Sequence, residues 1–421
     1  MSPIRPQVQV VGARLDPEHH RLRDFLTRAA QPHEWHDAGS PEAAELLESR
    51  GIAPDVALPV LIDGDEVHTA ASVESIAAAW KALEPAKRAH YDLAIVGAGP
   101  AGLAAAVYAA SDGLSTVVFE RDLPGGQASH TSRIENFFGF PDGIGGAELA
   151  RLAGRQAEGF GAELLLLRGV EGHGRDGDGS VTFHLNDGEQ ISSTVALAAP
   201  GMVWRQLGVE GVDDLLGKGV YYGAGRSEAA QCGGDDVIVV GAGNSAGQAV
   251  MNLASAGARV KMLVRGEQLG RSMSAYLIER IEAHPWIDVR LRSQVKALEE
   301  RDGELACVTV ADGGGQVERL PARALFICIG GTPRTGWAEG SGVRTDRAGY
   351  ILTGPDLLEN GRRPERWPVD RDPLALETSV PGLFAAGDVR SGSTKRVAGA
   401  VGEGAMAVAL AHRRLEEITA A

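Results

Sequence analysis

The stretch from Asp92 to Arg121, DLAIVGAGPAGLAAAVYAASDGLSTVVFER, restricts the fold more than any other. The apolar run Leu93-Ala94-Ile95-Val96 reads as a buried strand. Gly97, Gly99 and Gly102 follow in G-x-G-x-x-G spacing, with Pro100 and Ala101 between them. A small-residue helix then runs from Leu103 to Ala110. A second strand, Thr116 to Phe119, ends on Glu120-Arg121. In this setting Gly97 permits a tight turn, Gly99 lets backbone approach a pyrophosphate, and Gly102 lets helix and strand pack closely. The helix N-terminus offers partial positive charge and free N–H groups to phosphate. Glu120 is placed to accept hydrogen bonds from ribose hydroxyls. The segment therefore predicts a dinucleotide cradle.

At 421 residues the chain is long enough for two or three domains. The 56 glycines suit many tight turns and close helix packing. A net charge of -15 and the lack of a basic stripe exclude a nucleic-acid binder as the expectation. Cys232, Cys307 and Cys328 are far apart, with no Cys-x-x-Cys and no metal-ligand spacing, so each reads as a buried small side chain. The N-terminus lacks a basic then apolar run, and the longest apolar stretch is the βα unit itself. A cytoplasmic protein with no membrane partner is expected.

Residues 1–85 read as a separate unit. Val8 to Val11 is a short strand, Glu18 to Ala29 and Pro41 to Arg50 are helices, and Ala57 to Asp65 reads strand, turn, strand. Ser72 to Leu83 closes the unit as a helix with Ser72 as N-cap. The β-α-β-α-β-β-α order resembles a glutaredoxin or thioredoxin fold, and Leu58-Pro59-Val60 resembles that family's cis-proline strand. The dithiol that the resemblance implies is absent. Leu15-Asp16-Pro17-Glu18 occupies its place, so the unit reads as a docking or dimerisation module. Glu84 to His90 is a polar linker.

Beyond the first cradle come Gly125-Gly126-Gln127 and Ile134-Glu135-Asn136. The series G-x-G-P-A-G, E-R, G-G-Q, I-E-N resembles the thioredoxin reductase family of FAD enzymes. That resemblance implies Gly126 and Gln127 beside the ribityl and pyrophosphate region, and Asn136 near the isoalloxazine. A helix is expected from Ala147 to Phe160, then a β-meander. Val195 to Ala198 is a strand ending in Ala199-Pro200-Gly201, where the family has Ala-Thr-Gly. The first part of an FAD domain is thus expected over 91–205.

A nucleotide domain is expected over 206–323. After the strand Asp236 to Val240, Gly241-Ala242-Gly243-Asn244-Ser245-Ala246 forms a second cradle, G-x-G-x-x-A. The next strand, Val260 to Val264, closes on Arg265 where the first cradle has Glu120. An arginine there favours a 2′-phosphate, so NADPH is expected over NADH. The family has two adjacent arginines; here Arg265 precedes Gly266, with Arg271 further on. Gln248 stands where the family tends to carry an acid.

The second FAD part is expected over 324–421. Leu325 to Gly330 reads as a strand and turn. Leu383-Phe384-Ala385-Ala386-Gly387-Asp388 resembles the family's second FAD signature, with Gly387 close to the cofactor and Asp388 on a ribityl hydroxyl. Lys395-Arg396-Val397 and a helix from Gly399 to Ala411 aim an N-terminus at the flavin. Gly354 to Pro373 reads as a surface loop. The fold expected is α/β: two Rossmann-like three-layer nucleotide-binding domains plus the N-terminal thioredoxin-like α/β domain.

Thioredoxin reductases carry a Cys-x-x-Cys just before the second nucleotide strand. Here Gly223 and Arg226 stand at those two positions, and neither can exchange a disulfide. The remaining chemistry lies with FAD. The expectation is hydride transfer from NADPH to the flavin and then to an external acceptor, a small molecule or a redox protein. Two alternatives are a slow redox- or nucleotide-sensing interaction protein and a disulfide reductase working through an unusual thiol. The resemblance implies a homodimer.

Overall fold

The computed structural model describes residues 7–420 apart from 81, 82, 84, 178, 224, 225, 271, 272 and 366, and leaves the side chains of Arg226 and Ser227 undescribed. Three sheets carry the architecture. The N-terminal one has four strands in the order His33–Asp37, Val8–Gly12, Val60–Asp63, Glu66–His68. The first pair is parallel and the others antiparallel. Helices Pro17–Arg28, Pro41–Ser49 and Val73–Ala79 flank it. Each begins on a side-chain cap, Asp16, Ser40 or Ser72, which satisfies an otherwise orphan N–H. Ser72 and Ser75 close a reciprocal capping box. The expected closing helix is described as helical only to Ala79. The strand His33–Asp37 is half-exposed and has no alternating pattern, so it is legible only from its pairing with Val8–Gly12.

The second sheet has seven strands. Glu163–Leu166, Thr116–Glu120, His90–Val96 and Gln190–Ala198 are parallel neighbours. Val181–Leu185 and Val170–Arg175 extend it as an antiparallel meander. Leu383–Ala385 returns from the far end of the chain to pair with Ala196–Ala198. Helices Pro100–Ser111, Gly146–Gly159 and Val397–Thr419 cover one face. Val397–Thr419 starts two residues earlier and ends eight later than the sequence implies; its apolar stripe of Ala407, Val408 and Ala411 continues past the expected end to Leu415, which packs against the same core.

The third sheet has five parallel strands in the order Val220–Tyr222, Ala324–Ile327, Asp236–Val240, Arg259–Leu263, Ile287–Arg290. Helices Asn244–Ser255 and Ala275–Ala283 pack against it, and a three-stranded antiparallel sheet covers its other side. The chain crosses from the second sheet to the third at Met202–Trp204 and returns at Gly331–Pro333; these two segments pair as an antiparallel ribbon. The described residues of 358–372 are exposed or half-exposed, as a surface loop requires, and the loop is pinned near its ends. Gly354 is buried against Ala375, and Arg371 pairs with Glu377 at 2.6 Å and with Glu417 at 2.6 Å.

Helix Val397–Thr419 crosses Pro100–Ser111 at Gly404, where an added Cβ would lie 2.1 Å from the Ala101 carbonyl oxygen. Gly402, two residues away on the same helix, faces open space. Gly404→Ala should therefore destabilise the protein by about 2–3 kcal/mol through overpacking. Gly402→Ala should stabilise it by up to about 1 kcal/mol through helix propensity. Urea unfolding of both variants checks the opposite signs.

Candidate functional site: a cavity between two glycine cradles

Backbone approach at the first cradle sets the site. Gly97 has φ +102°, and a Cβ there would sit 2.4 Å from the Ala199 carbonyl oxygen. A Cβ on Gly102 would lie 1.9 Å from the Gly97 oxygen. The turn is thus pressed between the strand end and its helix, and only glycine fits. Gly99 caps helix Pro100–Ser111 without a side-chain hydrogen bond and faces open space. The second cradle repeats this. A Cβ added to Gly241 would lie 2.3 Å from the Cys328 carbonyl oxygen, and Gly243 starts helix Asn244–Ser255 with no side-chain cap. Helix Val397–Thr419 also starts uncapped, at Arg396.

All three uncapped helix ends open onto one cavity of about 690 Å³. Of the residues expected from sequence, Gly97, Gly99, Pro100, Ala101, Glu120, Arg121, Gly126, Gln127, Asn136 and Gly201 line it from one side. Gly387, Asp388, Lys395, Arg396 and Val397 line it from the C-terminal segment, and Asn244 and Ser245 from the second cradle. Gly102, Gly241 and Ala246 lie behind the wall as packing residues, and Gly243 is the cap. Arg265 stands exposed just beyond its strand and does not line the cavity. Arg271 lies outside the described residues. Gly223, with φ +80°, lines the cavity, and Arg226 begins the short helix Arg226–Ala229.

Several wall groups are already held. The buried Glu120 carboxylate accepts from the Ala98 N–H at 2.7 Å and the Asp122 N–H at 3.0 Å, and burial pushes its pKa up. Gln127 donates to the Met202 carbonyl at 3.3 Å. The Asn244 carboxamide oxygen accepts from the Ser274 N–H at 2.7 Å, so it ties two helices together. Burial also raises Asp388, with Lys395 opposing. Lys395 donates to the Asp388 carbonyl at 2.6 Å and lies 4.1 Å above the Tyr350 ring.

Sequence reading missed Arg28, His130, Trp204, Tyr222, Cys328 and Arg334, which also line the cavity. Arg334 is pushed down by burial and by Arg121, and its buried Nε has no partner among the described residues. Such an orphan donor suits an anionic ligand. Burial pushes the Cys328 thiol up to about 12, with the Gly223 N–H only partly offsetting it. Cys232 is likewise pushed up to about 12 by burial. Both stay protonated and poorly nucleophilic at neutral pH. The cradles, orphan donor and uncapped helix ends fit phosphate-bearing cofactors.

This geometry, together with comparison to known proteins, defines an NAD(P)H-dependent flavoprotein oxidoreductase. The chain belongs to the pyridine nucleotide-disulphide oxidoreductase family, whose profile matches residues 91–404. It is 33% identical to a thioredoxin reductase of Bacillus subtilis over 329 residues, 78% of this chain and 96% of that protein. It is also 33% identical to the mitochondrial thioredoxin reductase 1 of Arabidopsis thaliana, over 77% of this chain and 84% of the relative. The solved thioredoxin reductase of T. acidophilum superposes with a TM-score of 0.68 at 27% identity, covering 78% of this chain and 100% of that one. Among the described residues no helix is long and apolar enough to cross a membrane.

His130 connects the main cavity to a smaller one of about 240 Å³, lined also by His20, Asp24, Tyr221 and Glu228. Its Nδ1 lies 3.8 Å from Asp24. Burial pushes Asp24 up to about 6, with Arg28 opposing. Burial pushes His130 down to about 4, with Arg28 adding to it. The folded chain holds the Asp24 proton more tightly than the unfolded one, so that contribution to stability falls as pH rises from 3.8 to about 6. It holds the His130 proton less tightly, so that contribution rises from about 4 to 6.5. The two slopes oppose each other. Asp24→Asn should make stability climb more steeply across this range than in the wild type, and His130→Gln should make it fall. Urea midpoints measured at several pH values check both signs.

Proposed function

We propose that this chain is an NADPH-dependent FAD oxidoreductase that passes electrons from nicotinamide to flavin and then directly to an external acceptor, without a dithiol between them. The observation that carries the reading is that both cradles open onto one cavity whose wall has Gly223 where the relatives' family motif has a thiol. The flavin ring, when bound, supplies the two-electron chemistry.

The chain's own residues bind, orient and shield. The N-terminus of Pro100–Ser111 and the cationic pair Arg121 and Arg334 hold the FAD phosphates. Glu120, fixed by two backbone N–H groups, presents its remaining acceptor capacity to ribose hydroxyls. Gly126, Gln127, Gly387 and Asp388 flank the ribityl chain, and Asn136 stands at the ring. The uncapped end of Val397–Thr419 stabilises negative charge there. The nicotinamide nucleotide rests on the N-terminus of Asn244–Ser255, with Arg265 meeting the 2′-phosphate and Arg271 as a second cation. The buried thiols Cys232 and Cys328 give no support to a dithiol relay or to a single-thiol route.

The acceptor is a small oxidant or a redox protein. The N-terminal unit is a thioredoxin-like module without thiols. The assembly is a homodimer and the compartment the cytoplasm.

Anaerobic stopped-flow mixing with NADPH should bleach the yellow protein completely, and a flavin that stays oxidised rejects the reading. Arg265→Ala should raise KM for NADPH about tenfold, the value of one charge-assisted contact, and leave KM for NADH within twofold. Steady-state kinetics with both nucleotides check the selectivity.

A further inference from the structure

The third sheet is joined to the rest of the chain covalently only through the ribbon Met202–Trp204 with Gly331–Pro333. A two-stranded ribbon is by itself a compliant connection. Yet the main cavity takes walls from both sides of it, so its shape depends on the angle between the two sheets. The N-terminal module touches both sides, and the two contacts differ in kind.

Toward residues 91–205 the contact is a weld. Leu123 enters the module's own core with Leu22, Phe25, Leu26 and Trp80, and Leu167 packs against it. Arg28 adds Asp122 at 2.7 Å and Ser129 at 3.1 Å. Toward the third sheet the contact is polar. Arg14 pairs with Asp235 at 3.0 Å and also donates to the Gln231 carbonyl. The His20 ring meets Tyr221 at 5.0 Å and lies 3.8 Å from Glu228. Pro17 rests on Gly217, where an added Cβ would stand 3.0 Å from the Pro17 Cα. The smaller cavity lies within this polar contact, lined by Pro17, His20, Gly217, Tyr221 and Glu228. Apolar burial holds a junction far more strongly than a partly exposed ion pair such as Arg14–Asp235 does.

We propose that the N-terminal module is a latch: fixed to the first half of the chain, it grips the nucleotide-binding sheet through Arg14, Pro17 and His20 and so sets the angle at which the two cradles face one another. This role lies beyond the proposed electron transfer and does not depend on it. The latch opens on its polar side, at the junction with Asp235, Tyr221 and Glu228, and the weld around Leu123 stays closed.

The test is a charge swap in the full-length protein, read by geometry. All three native cysteines are buried. Dyes therefore attach selectively to Leu152→Cys on the first half and Val317→Cys on the three-stranded sheet that covers the third sheet, both exposed in the wild type. In this labelled background Arg14→Asp and Asp235→Arg should each raise a second inter-dye distance population at least about fivefold, the scale of losing one ion pair. The combined Arg14→Asp/Asp235→Arg protein should return to within twofold of the parent. Hydrogen exchange in Val8–Gly12 should remain at the parent's level in all three, because the module stays folded and welded. The proposal is overturned by single variants with the parent's distance distribution, by a double variant no closer to the parent than the singles, or by loss of protection in Val8–Gly12 accompanying the change.

Discussion

Everything about the site follows from how near one backbone comes to another. At Gly97, Gly102, Gly241 and Gly404 a carbonyl oxygen occupies the space where a side chain would begin. These contacts press each helix N-terminus against the ends of the strands beside it. The first-turn N–H groups are then left with no side-chain cap at Gly99 and Gly243. By contrast, helices Pro17–Arg28, Pro41–Ser49 and Val73–Ala79 are capped by Asp or Ser. The N-terminal module finishes its helices with its own side chains, whereas the two cradles leave that role to a ligand.

How much of this was legible in the sequence follows from the same distinction. Local chemistry was readable. The glycine spacing, the strand before it and Glu120 after it lie within one βα unit, and that unit formed as expected around Pro100–Ser111. The helix caps of the N-terminal module were readable at Ser72 for the same reason. What was not readable is set by docking between distant segments. Arg28 reaches the cavity only because Leu123 is buried in the core of another module. His130, Trp204 and Arg334 converge from loops with no periodicity. Cys328 read as a buried filler, and it is buried, but its place beside Gly223 depends on strand order in the third sheet. Asn244 was read as a cofactor contact and it lines the cavity, but that its carboxamide oxygen also holds the start of the next helix was not readable.

The polar cluster between the modules has a cost that apolar packing would not have. Arg23 is buried, with its guanidinium 4.8 Å above the Trp35 ring, and burial lowers its pKa. His20 is lowered by the same desolvation even though Glu228 pulls it up. Replacing such groups by hydrophobic residues commonly leaves stability unchanged or improves it. Their presence on one face of the module, when the opposite face uses Leu22, Phe25 and Leu26 around Leu123, marks a boundary that is stable without being permanent. The turn carrying Arg14 and Pro17 offers this boundary a cation and a rigid ring.

At two positions, the turn of Arg14 and Pro17 and the turn of Gly223, the chain offers contact and no thiol. Gly223 leaves a gap between Trp204 and His130, with a built Cβ 3.5 Å from the indole and 4.0 Å from the His130 Cβ. Its left-handed φ of +80° resists any branched or bulky replacement, so the gap is maintained by backbone conformation as well as by the lack of a side chain. A cysteine at Gly223 would have to adopt a strained backbone and would stand alone, since Arg226 is no thiol. Restoring one sulfur therefore restores neither the geometry nor the pair. The shape of the cavity at Gly223 is therefore set by backbone conformation and not by a side chain.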